Sequence, residues 1–276
     1  MDREIKVVAF DLDLTLLTTD KQLSRRNEEA LRRCADRGIH IVPTTGRFYS
    51  GVPKVVSELP YIDYVISGNG AEVREVATDR IISEEKIPWP MAIDIMKILE
   101  EFSCIYDCYV DNWGRVSQEF YDEAGEWTES VYAKNMYYNT RTPVPNLQEY
   151  LTELKHDVQK VQPFFHDMEE HARCKKAIEE RMPQLIVTQS MSNNLEINIK
   201  DANKGHALHK LAEYLKIPME QTMSFGDGLN DISMIKEAGI GVAMENAIPE
   251  AKEVADYITD TNDNDGVAKA IEKLIF

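Results

Sequence analysis

Asp11-Leu12-Asp13-Leu14-Thr15 sets two carboxylates at i and i+2 directly behind the apolar run Ile5-Lys6-Val7-Val8-Ala9-Phe10. Neighbouring carboxylates resist ionising together unless a cation or a shared proton offsets their charge. A divalent metal meets that need, with one acid as nucleophile and the other as proton donor. Three further groups belong to the same chemistry. Thr44-Thr45-Gly46-Arg47 joins hydroxyls, a permissive glycine and a guanidinium at a helix start, which suits an anion. Lys204, in Asn203-Lys204-Gly205, offers a compact positive charge for phosphate. Gly226-Asp227-Gly228-Leu229-Asn230-Asp231 adds two more acids among glycines. Singly, each group also reads as a turn, a helix cap or a solvated lysine.

The elements that position these groups follow from hydrophobic period. Residues 5–10, 39–43, 64–66, 222–225, 240–243 and 257–258 read as short buried strands, and residues 24–37 and 204–215 as helices. Another helix is expected after Arg47, and Gly38 stands where a helix C-terminal cap falls. Alternating strands and helices predict an α/β fold with a doubly wound, mostly parallel sheet. All four groups then lie at the C-terminal edge of its strands, where open α/β sheets bind ligands. The alternating residues 195–199 are expected to form a strand of this same outer part.

Residues 84–188 differ in texture and predict an inserted α+β unit, so the outer domain is discontinuous, over 1–83 and 189–276. Met91, Ile95, Leu99 and Phe102 form one helical stripe, and strands are expected around 106–110, 116–120, 158–165 and 185–187. Helices are expected near 147–154 and 168–178. Such stripes belong to a core.

Composition narrows the function further. A net charge of −17 disfavours nucleic acid, whose phosphates are bound through lysine and arginine. A local cluster of cations and a metal still admits a small anionic substrate. No stretch is apolar enough for a membrane span, and the start Met1-Asp2-Arg3-Glu4 lacks a signal-peptide pattern, so a cytoplasmic location is expected. Cys34, Cys104, Cys108 and Cys174 show no zinc spacing and read as free thiols.

Together these motifs resemble the haloacid dehalogenase superfamily of aspartate-nucleophile phosphohydrolases, and in particular its Cof-type branch with a type IIB cap. The resemblance rests on residues 11–15, Thr45-Gly46-Arg47, Ser67-Gly68-Asn69-Gly70-Ala71, Lys204-Gly205, residues 226–231 and Gly241-Val242-Ala243-Met244-Glu245-Asn246-Ala247. It implies that Asp11 is the nucleophile and that Asp13 protonates the leaving oxygen and later activates water. It implies that Thr45, Gly46, Lys204 and Asn230 bind phosphate, with Arg47 and Asp231 in support. Mg²⁺ would be held by Asp11, Asp227 and the Asp13 main-chain carbonyl. The insert would act as a cap that contacts the leaving group, with Trp113 and Arg115 as candidate specificity residues.

The implied activity is Mg²⁺-dependent hydrolysis of a small phosphorylated metabolite, a sugar phosphate or a nucleotide-like cofactor, by a monomer or weak homodimer. A low-turnover phosphate sensor and a phosphosugar mutase are the alternatives. A response-regulator receiver uses similar residues but has about half this length and no such insert. One departure stands out. The family usually carries glycine where this chain has Leu14, and the expectation is that Leu14 packs beside the site without displacing phosphate, provided the backbone there has negative φ.

Overall fold

The computed structural model describes residues 4–126 and 131–276, and the chain divides into two compact units, residues 1–84 with 202–276 and residues 85–201. The first unit begins with β1 (Val7–Phe10), α1 (Arg25–Ala35), β2 (His40–Pro43), α2 (Lys54–Ser57) and β3 (Tyr64–Ser67). A meander then adds β4 (Glu72–Glu75), antiparallel to β3, and β5 (Arg80–Glu84), antiparallel to β4. Ser24 caps α1 by accepting from the Asn27 amide at 3.1 Å, and Gly38 follows with φ +77°.

The second unit comprises α3 (Trp89–Leu99), β6 (Cys104–Val110), β7 (Trp113–Ser117), α4 (Gln118–Glu123), α5 (Val131–Thr140), β8 (Arg141–Val144), α6 (Leu147–Leu154), β9 (Lys160–Phe165), α7 (Met168–Arg181), β10 (Leu185–Thr188) and β11 (Glu196–Ile199). Its strands form one sheet in the order β10-β11-β9-β6-β7-β8, antiparallel except for β7 with β8. Cys108, Val110, Val161, Phe165 and Ile197 pack with residues of α3, α6 and α7 into one core.

Two expectations are corrected here. The strand expected over 116–120 ends at Ser117, and Gln118–Glu123 is helical, with Gln118 Nε2 donating to Asp122 Oδ1 at 2.8 Å across one turn. The strand expected over 195–199 belongs to the second unit, because Leu185 faces Ile199 in an antiparallel pair with β10. That unit therefore runs to residue 201, not 188.

The chain re-enters the first unit with α8 (Lys204–Leu215), β12 (Thr222–Gly226), α9 (Ile232–Glu237), β13 (Ile240–Ala243), α10 (Pro249–Val254), β14 (Tyr257–Ile258) and α11 (Gly266–Leu274). Its parallel sheet has the order β14-β13-β12-β1-β2, with β3 joined to the β2 side by the parallel bridges Ile41–Ile62 and Thr44–Ile66. β1 is central and buried along its whole length, as a continuous apolar run in a parallel sheet must be. Among the described residues no helix is long and apolar enough to cross a membrane.

Candidate active site

Asp11 continues β1 past its last residue, its amide donating to Phe225 O at 3.0 Å. This fixes it at the carboxyl edge of the central strand, between β12 and β2. Its carboxylate is almost fully buried, and Lys204 Nζ lies 2.6 Å from its Oδ1. The same Nζ lies 2.6 Å from Asp231 Oδ1, and both carboxylates hold the fully buried ammonium. Asn203 places Lys204 at the head of α8 by accepting from the His206 amide at 2.9 Å. Burial works to lower the Lys204 pKa, but Asp11 and Asp231 outweigh it and push it up, so the ammonium stays charged.

Asp231 is saturated. Its Oδ2 accepts from the amides of Asp227 and Gly228, each at 2.9 Å. Gly226 makes the fold-back possible, since a Cβ there would stand 2.3 Å from Asp231 Cβ. Asp227 accepts from Thr15 Oγ1 at 2.6 Å through Oδ1. Burial, then the Asp231 charge, pushes the Asp227 pKa up to about 7. Burial also raises Asp11, helped by Asp231, Asp227 and Asp13 and opposed by Lys204.

Asp13 is held apart from that group. Arg47 grips it with Nε to Oδ2 at 2.8 Å and Nη2 to Oδ1 at 2.9 Å, while Lys21 Nζ stands 2.9 Å from Oδ1. Burial alone would raise its pKa, but Arg47 and then Lys21 hold it at about 2.

Thr45 is buried at the end of β2, its amide donating to Ile66 O at 2.9 Å and its Oγ1 accepting from the Arg47 amide at 3.2 Å. Gly46 lies between them, half-buried. Asn230 donates to Asn69 Oδ1 at 3.0 Å, and Asn69 itself has φ +62°. Next to it Gly70 has φ +103°, and a Cβ there would meet Asn203 O at 2.4 Å, so the loop lies against the head of α8.

The sequence-predicted residues thus form two neighbouring sets. Asp11, Lys204, Asp227 and Asp231 converge, and Asp13 joins Arg47. Thr15, Lys21 and Asn69 have contacts here that residue chemistry alone did not single out. Thr15 and Asn69 stand inside the quoted motifs, whereas nothing in the sequence marks Lys21. Trp113 and Arg115 are engaged elsewhere, Trp113 Nε1 donating to Thr142 Oγ1 at 2.8 Å and Arg115 Nε to the Tyr150 hydroxyl at 3.2 Å.

Leu14 departs from expectation. Its φ is +65° and it is 40% exposed, so it neither packs nor takes an ordinary backbone conformation. A hydrogen bond from Asn246 Nδ2 to Leu14 O, at 2.8 Å, pins the turn in that state.

Oxygens of Asp11, Asp227 and Asp231 lie within 4.8 Å of one another. With Asp231 committed to Lys204 and two amides, Asp11 and Asp227 are the carboxylates left for a cation. Burial first, and then the neighbouring carboxylates, raise both pKa values, a penalty on the charged forms that a cation would relieve, and an all-oxygen set suits a hard divalent ion.

Known proteins match nearly the whole chain. Residues 8–271 fit the family model described as haloacid dehalogenase-like hydrolase. A Bacillus subtilis protein named 5-amino-6-(5-phospho-D-ribitylamino)uracil phosphatase YcsE is 34% identical over 272 residues, covering 98% of this chain and 96% of that protein. A haloacid dehalogenase-like hydrolase from B. subtilis superposes with a TM-score of 0.85 at 32% identity, over 97% of this chain and 99% of that one. The subclass IIB sugar phosphatase BT4131 superposes with a TM-score of 0.82 at 26% identity, over 97% and 98%.

Proposed function

The chain belongs to the haloacid dehalogenase-like hydrolase family, and from that membership we propose a Mg²⁺-dependent phosphatase acting on a small phosphorylated metabolite through an aspartyl-phosphate. The observation that carries this reading is the buried Lys204 ammonium 2.6 Å from Asp11 Oδ1, a nucleophile beside a fixed cation. The names of the relatives, a phosphoribitylaminouracil phosphatase and a sugar phosphatase, favour a sugar phosphate or a nucleotide-like cofactor as substrate.

In this mechanism an Asp11 oxygen attacks phosphorus, and the bond from phosphorus to the leaving oxygen breaks. Asp13 delivers the proton that oxygen needs. Asp13 then takes a proton from the water that attacks the acyl phosphate, which frees inorganic phosphate and restores Asp11. Lys204 and Thr45 hold the phosphate oxygens, aided by the Gly46 and Asn230 positions, while Asp231 fixes Lys204. Mg²⁺, held by Asp11, Asp227 and the Asp13 carbonyl, would supply positive charge against the phosphate dianion. Because Arg47 and Lys21 keep Asp13 ionised, their grip must loosen before Asp13 can carry a proton. The second unit is assigned as the cap that recognises the leaving group.

The test is phosphate release from a panel of phosphorylated metabolites with purified protein and Mg²⁺, repeated with a chelator and with Ca²⁺. Turnover should stop on chelation and be poor with Ca²⁺, whose looser coordination leaves the nucleophile out of line. Equal rates with both ions, or with neither, would remove the metal from the reading.

A further inference from the structure

Three successive residues after β3 take left-handed backbone conformations, Gly68 at φ +60°, Asn69 at +62° and Gly70 at +103°. Glycine adopts that region at no steric cost, and asparagine is among the few other residues that tolerate it. The turn is tied to the phosphate-binding segment after β2: the Gly68 amide donates to Arg47 O at 2.8 Å and the Asn69 amide to Thr45 O at 3.0 Å. On its other side Gly70 lies against Asn203, which sets Lys204 at the head of α8.

The Asn69 side chain, 3% exposed, makes a link that these backbone bonds do not. Its Oδ1 accepts from Asn230 Nδ2 at 3.0 Å. Asn69 follows β3 and Asn230 follows β12, three strand spacings apart in the order β12-β1-β2-β3, or about 14 Å. The two loops therefore lean toward each other around the carboxyl ends of β1 and β2, where Asp11 and Thr45 stand. With Nδ2 turned to Asn69, the Asn230 Oδ1 lies on the side of the glycine turn, 3.0 Å from where a Cβ on Gly228 would stand. The amide nitrogen carries two hydrogens. One is held by Asn69, and the other is a donor that an anion can use. Without Asn69 the amide is able to rotate and to turn over, and its oxygen repels an anion. A side chain already held in its bound rotamer loses no further freedom when the ligand arrives.

We propose that Asn69 is a positioning residue for phosphate, holding Asn230 so that the second N–H of its amide meets a phosphate oxygen. In the phosphatase reading, on which this rests, Asn230 contacts phosphate directly and Asn69 acts only through it.

The test is a double-mutant cycle in the full chain, read by calorimetric titration of inorganic phosphate with Mg²⁺ present and by kcat/KM on p-nitrophenyl phosphate. Asn69→Gly deletes the side chain and keeps a backbone at ease with positive φ. It should weaken phosphate binding about tenfold and lower kcat/KM to a similar extent. Asn230→Ala should weaken binding at least as much. With the Asn230 amide gone, Asn69 has nothing left to hold, so adding Asn69→Gly to Asn230→Ala should cost less than about twofold more. A turn that served the fold alone would behave differently. Loosening it would shift Thr45 and Lys204 whether or not residue 230 carries an amide, and the two losses would multiply. Multiplied losses would overturn the proposal, as would an Asn69→Gly protein that binds phosphate within about threefold of wild type. Asn230→Ala with unchanged phosphate affinity would overturn it without reference to any variant at residue 69. Asn69→Ala removes the same amide at the cost of left-handed strain, and it takes the place of Asn69→Gly in the cycle should that variant not fold. A wild type that binds inorganic phosphate but releases it from no ester would remove the phosphatase reading alone, and the binding cycle would still decide the role of Asn69.

Discussion

Arg47 grips Asp13 through two parallel charge-assisted bonds, Nε to Oδ2 at 2.8 Å and Nη2 to Oδ1 at 2.9 Å. The planar guanidinium matches the carboxylate fork, a geometry lysine cannot supply. The pair makes stability depend on pH with a definite sign. Asp13 has a folded pKa of about 2, below its ordinary value, so its contribution is complete above that ordinary value and is lost as pH falls toward 2. Arg47→Met should therefore cost stability at pH 6, on the order of 1 kcal/mol after discounting for partial exposure. That cost should shrink near pH 2. Urea midpoints at both pH values test it, and an equal difference at both would mean that Arg47 stabilises through packing alone.

Asp11→Asn should leave a folded protein, because Lys204 keeps Asp231 at 2.6 Å as its remaining counter-ion. An amide is not a competent nucleophile, so phosphate release should drop by about three orders of magnitude or more. Retention of more than about a tenth of wild-type turnover would transfer the nucleophile to another residue.

Asp13→Asn separates proton donation from mere positioning. Asparagine can still accept from Arg47 but cannot donate an acidic proton. Alkyl phosphates, with poor leaving groups, should lose about tenfold more rate than p-nitrophenyl phosphate. Equal losses on both would show that Asp13 does not protonate the leaving oxygen.

Leu14→Gly should stabilise the protein. A leucine at φ +65° carries about 1–2 kcal/mol of strain, partly offset by the greater freedom of glycine in the unfolded chain, leaving a gain of about 0.5–1 kcal/mol. Its exposed side chain gives up little buried area on deletion. Turnover should change by less than about tenfold, since Leu14 adds no charge to the site. Denaturant unfolding and one shared substrate panel read both effects. An inert wild type awakened by Leu14→Gly would identify the chain as a sensor.

The edge where these residues meet was legible because a parallel sheet leaves few places for acids behind apolar runs. Val7–Phe10 and Thr222–Gly226 each end in such a place, and register alone brings Asp11 beside Phe225. Partners were less legible than elements. Residues 196–199 alternate as any strand does, and alternation fixes a face without naming a neighbour, so their place beside β10 had to come from the fold. The sign of φ at Leu14 ran against local preference, which disfavours the left-handed region for leucine, and a bond from Asn246, distant in sequence, overrides it. Lys21 reaches Asp13 from a turn with φ +61°, a placement that spacing does not encode.

Because the chain leaves the first unit at Glu84 and re-enters it at Ala202, the ribosome makes the parts of one sheet in two instalments. β1 and β2 are synthesised first, yet the other flank of β1 is β12, which begins at Thr222. At ordinary elongation rates the intervening residues take on the order of ten seconds to emerge. Throughout that interval one side of the most apolar strand has no ladder partner, a template for mispairing with another nascent chain. The second unit holds all six of its strands within residues 85–201, so it can complete itself while β1 waits. Chaperone demand during synthesis should therefore concentrate on the first 84 residues and end soon after Gly226 clears the exit tunnel.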